Sequence, residues 1–165
     1  MAKTKVGRNG FYKSKYGLKL STIVDNNGIP FSLLLKSGNI NDSIMLEDAF
    51  SLIKVPLDKS KIHVLADAGY DSLNNKKFLK SQSYNVVIAL NKRGTKDINK
   101  LEKNKLSVEN KNHLKNRVIV ENFFAWKEII LPRGNRIIER KMENYLSSIY
   151  LCAIHLIFKK NPTLN

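Results

Sequence analysis

The segment that most restricts the fold of this chain is residues 63–73, which read His-Val-Leu-Ala-Asp-Ala-Gly-Tyr-Asp-Ser-Leu. The short apolar run Val64–Ala66 is typical of a buried strand, and Asp67 follows directly at its end. A Gly-Tyr turn and a polar helix start come next. Because ligands of α/β sheets bind outside the carboxyl ends of strands, this segment predicts a sheet with an accessible carboxylate at one edge.

Asp67 has two interpretations from sequence. It is either a turn aspartate without chemistry, or a ligand of a divalent metal, since Mg²⁺ takes oxygen ligands from one or two carboxylates, water and phosphate. For Asp71, four residues later, we predict a structural role as the N-cap of the following helix.

The net charge restricts the partners. The chain has 29 Lys and Arg against 14 Asp and Glu, a formal net charge of +15. Such an excess attracts polyanions, of which nucleic acid is the first candidate; an anionic membrane or a ribosome-like structural role are the alternatives. Positions 92–141 hold 14 basic and 6 acidic residues, a difference of +8. Against the alternative of a solvated surface, we predict DNA phosphate contacts in this region by Lys92, Arg93, Lys96, Arg117, Lys127 and Arg133.

The order of the predicted elements indicates an α/β fold. Gly17–Val24 alternates apolar and polar residues, the turn sequence Asp-Asn-Asn-Gly follows, and Ile29–Leu35 completes a β-hairpin. The remaining elements of this half are a helix over 44–54, a strand over 64–66, a helix over 73–81 and a strand over 85–90. Hairpin, helix, strand, helix and strand predict a mixed sheet flanked by helices.

The second half is predicted to be helical. Residues 91–112, rich in Lys and Asn, predict an exposed basic loop or insertion. One helix is expected from Leu114 to the residue before Pro132, and a last amphipathic helix over about 136–158. Its predicted buried face is Ile138, Met142, Tyr145, Ile149, Cys152 and Leu156. At 165 residues we expect a single domain over 1–165.

Several classes of protein are disfavoured. A single cysteine, Cys152, excludes an internal disulfide framework and a cysteine zinc cluster. His63, His113 and His155 are scattered in the sequence, and we predict structural roles for them. No secretory signal is recognisable, and the longest apolar stretch, Tyr145–Phe158, is too short to span a bilayer. We therefore expect an intracellular protein without membrane contact.

Glu121 is the second candidate for chemistry. Arg117 lies four residues before it, so both share one face of a helix. The simplest interpretation is a surface ion pair, but the neighbouring apolar residues Val118, Val120 and Phe123 favour a more specific role.

Four segments, in this order, resemble transposases of bacterial insertion sequences in the IS4/IS5 group, which have a DDE catalytic domain with a ribonuclease H-like fold. The hairpin of residues 17–35 is similar to the second and third strands of that family. The segment 37–43, Ser-Gly-Asn-Ile-Asn-Asp-Ser, is similar to its Pro-Gly-Asn-x-x-Asp-Ser motif, and residues 65–72 are similar to its second-aspartate motif. Arg117-x-x-x-Glu121, followed by Phe124-Ala-Trp-Lys127, is similar to its glutamate helix.

The resemblance implies roles for particular residues. Asp67 would be the second and Glu121 the third acidic residue of the catalytic triad, with Arg117 as the companion arginine. The implied chemistry is phosphodiester hydrolysis and strand transfer at the DNA ends of a mobile element, with Mg²⁺ or Mn²⁺ as cofactor.

The chain also departs from the family pattern. The first catalytic aspartate is expected on a strand before the hairpin, but residues 1–16 contain no Asp or Glu, and Asp25 belongs to the hairpin turn. We therefore expect the first strand to be missing, as in the C-terminal part of a catalytic domain, and this chain alone to be inactive. A Lys expected seven residues after Glu121 is replaced by Glu128, with Lys127 adjacent. The partner would be a second copy or an N-terminal transposase fragment. The alternative function is a non-catalytic DNA-binding remnant that regulates an intact transposase.

Overall fold

The computed structural model describes residues 7–9, 15–91, 106–131 and 141–161. These residues form five strands, β1 (Gly7–Asn9), β2 (Lys15–Val24), β3 (Pro30–Ser37), β4 (His63–Ala66) and β5 (Asn85–Ile88). The five helices are α1 (Asp42–Ser51), α2 (Leu73–Ser81), α3 (Val108–Lys115), α4 (Val118–Ile130) and α5 (Met142–Lys160). Short 3₁₀ turns at Lys59–Lys61 and Ala68–Tyr70 flank β4.

The predicted hairpin is confirmed. β2 and β3 pair antiparallel from Leu18 opposite Ser37 to Val24 opposite Pro30. At the turn, the Asp25 carboxylate accepts the N–H groups of Asn27 at 2.9 Å and Ile29 at 2.7 Å. Gly28 has φ of +76°, a conformation that glycine adopts without strain, which explains the Asn-Asn-Gly sequence at this turn. Asp25 therefore caps the turn, as expected.

Residues 63–88 form a parallel strand pair with its crossover helix. β4 pairs with β5 in parallel from His63 opposite Asn85 to Ala66 opposite Ile88, and α2 connects them. The N-cap of α2 is Ser72, whose hydroxyl accepts the Asn75 N–H at 3.1 Å. The N-cap prediction for Asp71 is thus wrong by one residue, because the serine hydroxyl takes that role.

The described residues pack into two separate cores. The first core lies between β2–β3 and the helices α4 and α5, and its buried residues are Leu33, Leu35, Phe123, Tyr145, Ile149, Ala153 and Leu156. The second core lies around β4 and β5 and is made by Leu46, Leu79, Tyr84 and Ile88. Helix α1 joins them, since it packs against β2 and β3 and also against α2.

The predicted α/β class is confirmed, with small sheets flanked by helices that are consistent with a ribonuclease H-like fold. Within the described residues, however, the strands form two sheets and not one: β1-β2-β3 is antiparallel, and β4-β5 is parallel. A strand does precede the hairpin, but β1 is only three residues long, Gly-Arg-Asn, and carries no carboxylate. Over its described length it pairs only with Lys15–Gly17 at the start of β2, and no ladder joins β2 to β4.

The helical half differs from the prediction at its start. The loop predicted over 91–112 is wrong for its last residues, because α3 begins at Val108, where the Ser107 hydroxyl accepts the Asn110 N–H at 3.1 Å. A break at Asn116 and Arg117 then separates α3 from α4, where one helix was predicted. Residues 92–105 and the predicted break at 132–135 lie outside the described residues.

Helix α5 buries most of the predicted face, while Met142 is only partly buried. Tyr145, Ile149, Cys152 and Leu156 are buried, together with Ala153, whereas the predicted Ile138 lies outside the described residues. Burial raises the pKa of the Cys152 thiol, which fits a packed core residue and not a nucleophile. Within the described residues, no helix has the length and apolar character needed to cross a membrane.

Candidate active site

Asp67 lies where the sequence predicts it, at the carboxyl end of β4. Its backbone is extended, with φ of −68° and ψ of 162°, and its carbonyl accepts the Tyr70 N–H at 2.9 Å to close the 3₁₀ turn. The carboxylate is not used as a cap by this turn, and 56% of the side chain is exposed. The strand therefore positions the backbone, while the carboxylate stays available to a ligand.

Glu121 is presented by the first turn of α4. The buried positions of this helix are Phe123 and Lys127, and the Glu121 side chain is 56% exposed. Arg117 occupies the break before α4, so its side chain can lie along the first turn of the helix. A carboxylate in the first turn is also favoured by the helix dipole.

One guanidinium nitrogen joins the two carboxylates. Nη1 of Arg117 lies 2.9 Å from Oδ2 of Asp67 and 3.3 Å from Oε1 of Glu121. The Arg117–Asp67 contact is a hydrogen bond between residues 50 positions apart. The fold therefore brings together three residues that the sequence analysis singled out, although Arg117 was predicted as a DNA contact and as a neighbour of Glu121, and not as a partner of Asp67.

Tyr70 packs next to this cluster, and sequence reasoning did not single it out. Its hydroxyl lies 3.5 Å from Oγ of Ser21, so the 3₁₀ turn after β4 contacts strand β2. Burial raises the pKa of Tyr70 and outweighs the hydrogen bond with Ser21, which lowers it; the nearby carboxylates of Asp42 and Asp67 add smaller upward effects. Asp42 itself forms an ion pair with Lys19 at 3.0 Å. The two family-like segments 37–43 and 65–72 thus meet at Tyr70.

We predict that ionisation of Tyr70 lowers the stability of the folded protein at alkaline pH. Because its folded-state pKa is raised above 10.0, the contribution to stability is complete below about pH 10 and is lost as the pH rises through the folded-state pKa. We expect Tyr70→Phe to make the decline of unfolding free energy above pH 10 shallower, measured by urea unfolding at pH 8 to 11. Tyr150→Phe, a change at a 46% exposed residue, is the control and should leave the slope unchanged. An unchanged slope in Tyr70→Phe would contradict this assignment.

Asp71 holds the ends of β4 and β5 together. Its Oδ2 accepts the N–H of Asn91 at 2.8 Å, and its Oδ1 forms an ion pair with Lys76 at 2.5 Å. Because Asn91 follows β5, this carboxylate fixes the strand ends beside Asp67. Of the predicted DNA contacts, Lys92, Arg93 and Lys96 follow Asn91 but lie outside the described residues, as does Arg133.

Lys127 lies in the core and not at the surface. It is 6% exposed and is placed one helical turn after the buried Phe123, on another side of α4 from Glu121. The reason is helical phase: seven residues after Glu121 the helix returns to nearly the same face, whereas a residue six positions away is rotated by about 120°. With only 6% of its surface exposed, Lys127 offers a DNA phosphate little access in this arrangement.

The fold also pairs two histidines that the sequence analysis treated separately. The rings of His63 at the start of β4 and His113 on α3 are stacked, with centroids 4.6 Å apart. His113 Nε2 lies 3.8 Å from Oε1 of Glu109. Their spacing of 50 residues gave no local signal, so only the docking of α3 on the parallel strands reveals the pair.

The donor chemistry of the site suits a hard divalent cation. Asp67 and Glu121 supply two exposed carboxylates whose oxygens contact one common cationic atom, and Mg²⁺ prefers one or two carboxylates completed by water and phosphate oxygens. Among the described residues, no group of three or more His, Cys, Asp and Glu side chains is arranged to hold a metal ion. The residues therefore fit a cation that takes its other ligands from solvent or substrate.

Comparison with known proteins identifies the family. A family model described as the transposase DDE domain matches residues 3–144. No curated protein and no solved structure shows significant similarity to the chain. DDE transposase domains generally use divalent metal ions, which agrees with the donors at the ends of β4 and at α4. Because the matched region covers far more than half of the 165 residues, the chain belongs to the transposase DDE domain family.

Proposed function

We propose that the chain acts in DNA transposition by metal-dependent phosphodiester hydrolysis and strand transfer. In this proposal it is a transposase of the IS4/IS5 group of insertion sequences. The observation that carries this proposal is the convergence of Asp67 and Glu121, 54 residues apart in sequence, on one cationic atom of Arg117. A purely structural surface pair at Arg117 and Glu121 would not need the strand-end aspartate.

Asp67 and Glu121 would hold Mg²⁺ or Mn²⁺. The bound metal would supply activation of water or a 3′-hydroxyl and neutralisation of the leaving oxygen. The chain's own contribution is to position these two carboxylates from a strand end and a helix start. The third carboxylate that the resemblance implies would come from an N-terminal transposase fragment; a second copy of this chain is the alternative partner, as a homodimer. We therefore propose that residues 1–165 alone do not cleave DNA.

DNA would be bound through its phosphates. The net charge of +15 favours binding of a polyanion that weakens as salt rises. The proposed contacts are Lys92, Arg93, Lys96, Arg117 and Arg133. We omit Lys127 from this set because its side chain is buried.

The second candidate function is a DNA-binding protein without catalysis, which regulates an intact transposase. The ion pairs of Arg117 favour it, because they neutralise part of the carboxylate charge without any metal. The two proposals differ in one measurable property, namely whether divalent metal binds at Asp67.

Metal binding to the 165-residue chain separates these candidates. We expect Mn²⁺ to bind in the millimolar range or tighter, by electron paramagnetic resonance of free Mn²⁺, and Asp67→Asn to weaken it about tenfold, since one of two protein ligands loses its charge. Asp48→Asn is the matched control, because Asp48 pairs with Lys36 outside the site. We also expect DNA binding with a steep salt dependence that Asp67→Asn leaves intact, and no nicking of DNA with Mg²⁺ or Mn²⁺.

Two results would count against the transposase proposal, and a third would overturn only one part of it. Equal Mn²⁺ binding by the wild-type chain and Asp67→Asn would place the metal elsewhere and favour the regulator. Absence of DNA binding at low salt would exclude both candidates. Metal-dependent nicking by the 165-residue chain, lost in Asp67→Asn, would overturn only the prediction of inactivity.

A further inference from the structure

We propose that Arg117 is a latch: in the metal-free protein its guanidinium occupies the cation position between Asp67 and Glu121, and a divalent cation must displace it. This inference rests on the proposed metal site and adds a residue that controls access to it. The geometry is specific, because the same atom, Nη1, contacts Oδ2 of Asp67 at 2.9 Å and Oε1 of Glu121 at 3.3 Å.

A guanidinium and a metal ion cannot share this position. Mg²⁺ binds oxygen at about 2.0–2.1 Å, so a cation bound by both carboxylates draws them closer together than Nη1 allows. The positive charge of Arg117 would also repel a divalent cation a few ångströms away. Arg117 therefore competes with the metal for the same two ligands, and does not merely orient them.

The fold gives the arginine room to leave. Arg117 lies in the break between α3 and α4, its side chain does not cap α4, and it is 35% exposed. Glu121 is held by α4 and Asp67 by the end of β4, so neither residue depends on the Arg117 side chain for its place in the fold.

The latch responds to ions and not to pH. A guanidinium stays protonated throughout the physiological range, so opening depends on competition for its partners. A divalent cation competes for the carboxylates, whereas a phosphate group competes for the guanidinium, which binds phosphate with two parallel hydrogen bonds. Metal and a DNA phosphate would thus favour the same open state, and each would raise the affinity for the other.

Mn²⁺ affinity of Arg117 variants tests the latch. Arg117→Gln removes the charge and should bind Mn²⁺ between about threefold and thirtyfold more tightly than wild type, because two half-exposed ion pairs no longer compete. Arg117→Lys keeps the positive charge, so its Mn²⁺ affinity should be closer to that of the wild type. Lys36→Gln is the matched control, which removes one charge from the exposed Lys36–Asp48 pair, and should change the affinity by less than about twofold. Titration calorimetry at constant ionic strength gives all four dissociation constants, and circular dichroism verifies that each variant is folded.

The outcomes separate the latch from the metal site. If Arg117→Gln binds Mn²⁺ no more tightly than wild type, the latch is wrong, while Asp67-dependent binding still supports the proposed function. If all variants bind Mn²⁺ equally, including Asp67→Asn, the metal site itself is wrong. If Arg117→Gln and Lys36→Gln gain affinity equally, the effect is one of net charge, and the latch is again overturned.

Discussion

Ile149→Ala is expected to lower the unfolding free energy by about 3 kcal/mol, because it leaves a cavity in a packed core. Ile149 is fully buried on α5, at the centre of the core that also holds Leu33, Leu35 and Phe123. Leu151, two residues later on the same helix, is 67% exposed, so Leu151→Ala should change stability by no more than about 0.5 kcal/mol.

Urea unfolding followed by two probes measures this difference. Trp126, the only tryptophan, packs against the Ile149 core, so its fluorescence reports on that core, whereas circular dichroism reports on all helices. Coincident transitions are expected if both cores unfold together. A loss in Leu151→Ala as large as that in Ile149→Ala would show that the buried face of α5 is assigned incorrectly.

Lys127→Met is expected to raise the unfolding free energy by about 1–2 kcal/mol, the opposite of the usual effect of a substitution in a core. Lys127 is 6% exposed, next to the buried Phe123 and close to the Cys152 thiol, whose pKa it lowers against the larger effect of burial. Desolvation of an ammonium group is costly, whereas methionine fills a similar volume without that cost.

The control for this change is Lys111→Met, at an exposed lysine of α3, which should shift stability by no more than about 0.5 kcal/mol. Both variants lose one positive charge, so DNA affinity measured at one salt concentration should be equal in the two. A lower stability of Lys127→Met would mean that the ammonium group makes a favourable contact in the folded protein. A lower DNA affinity of Lys127→Met than of Lys111→Met would restore Lys127 as a DNA contact.

The features that follow from local sequence were predicted well. The hairpin, the strand that ends at Asp67 and the helix Leu73–Ser81 depend on alternation, turn residues and short apolar runs, all of which act over a few positions. Asp67 was predicted at a strand end for the same reason. Membership of the DDE transposase family also followed from the short motifs around Asp67 and Glu121.

The incorrect predictions concern residues whose roles depend on tertiary packing or on competition between neighbouring side chains. Ser72 caps α2, although aspartate is an equally good capping residue. The Asp71 carboxylate instead contacts Asn91 and Lys76, and these tertiary contacts cannot be predicted from the residues around the cap. Lys127 was predicted at the surface because its side chain is charged. Its position along α4, however, turns it towards the protein interior. The start of α3 was not predicted, because a segment rich in lysine and asparagine is typical of an exposed loop. In the structure, Ser107 is the N-cap from which the helix begins.

The two carboxylates of the candidate site are held by different cores of the protein. Asp67 ends a strand of the β4–β5 core, whereas Arg117 and Glu121 belong to the helix that packs on β2 and the first core. Within the described residues, no strand ladder connects the two sheets. A cation between Asp67 and Glu121 is therefore a second link between the two cores, in addition to helix α1, which packs against β2, β3 and α2.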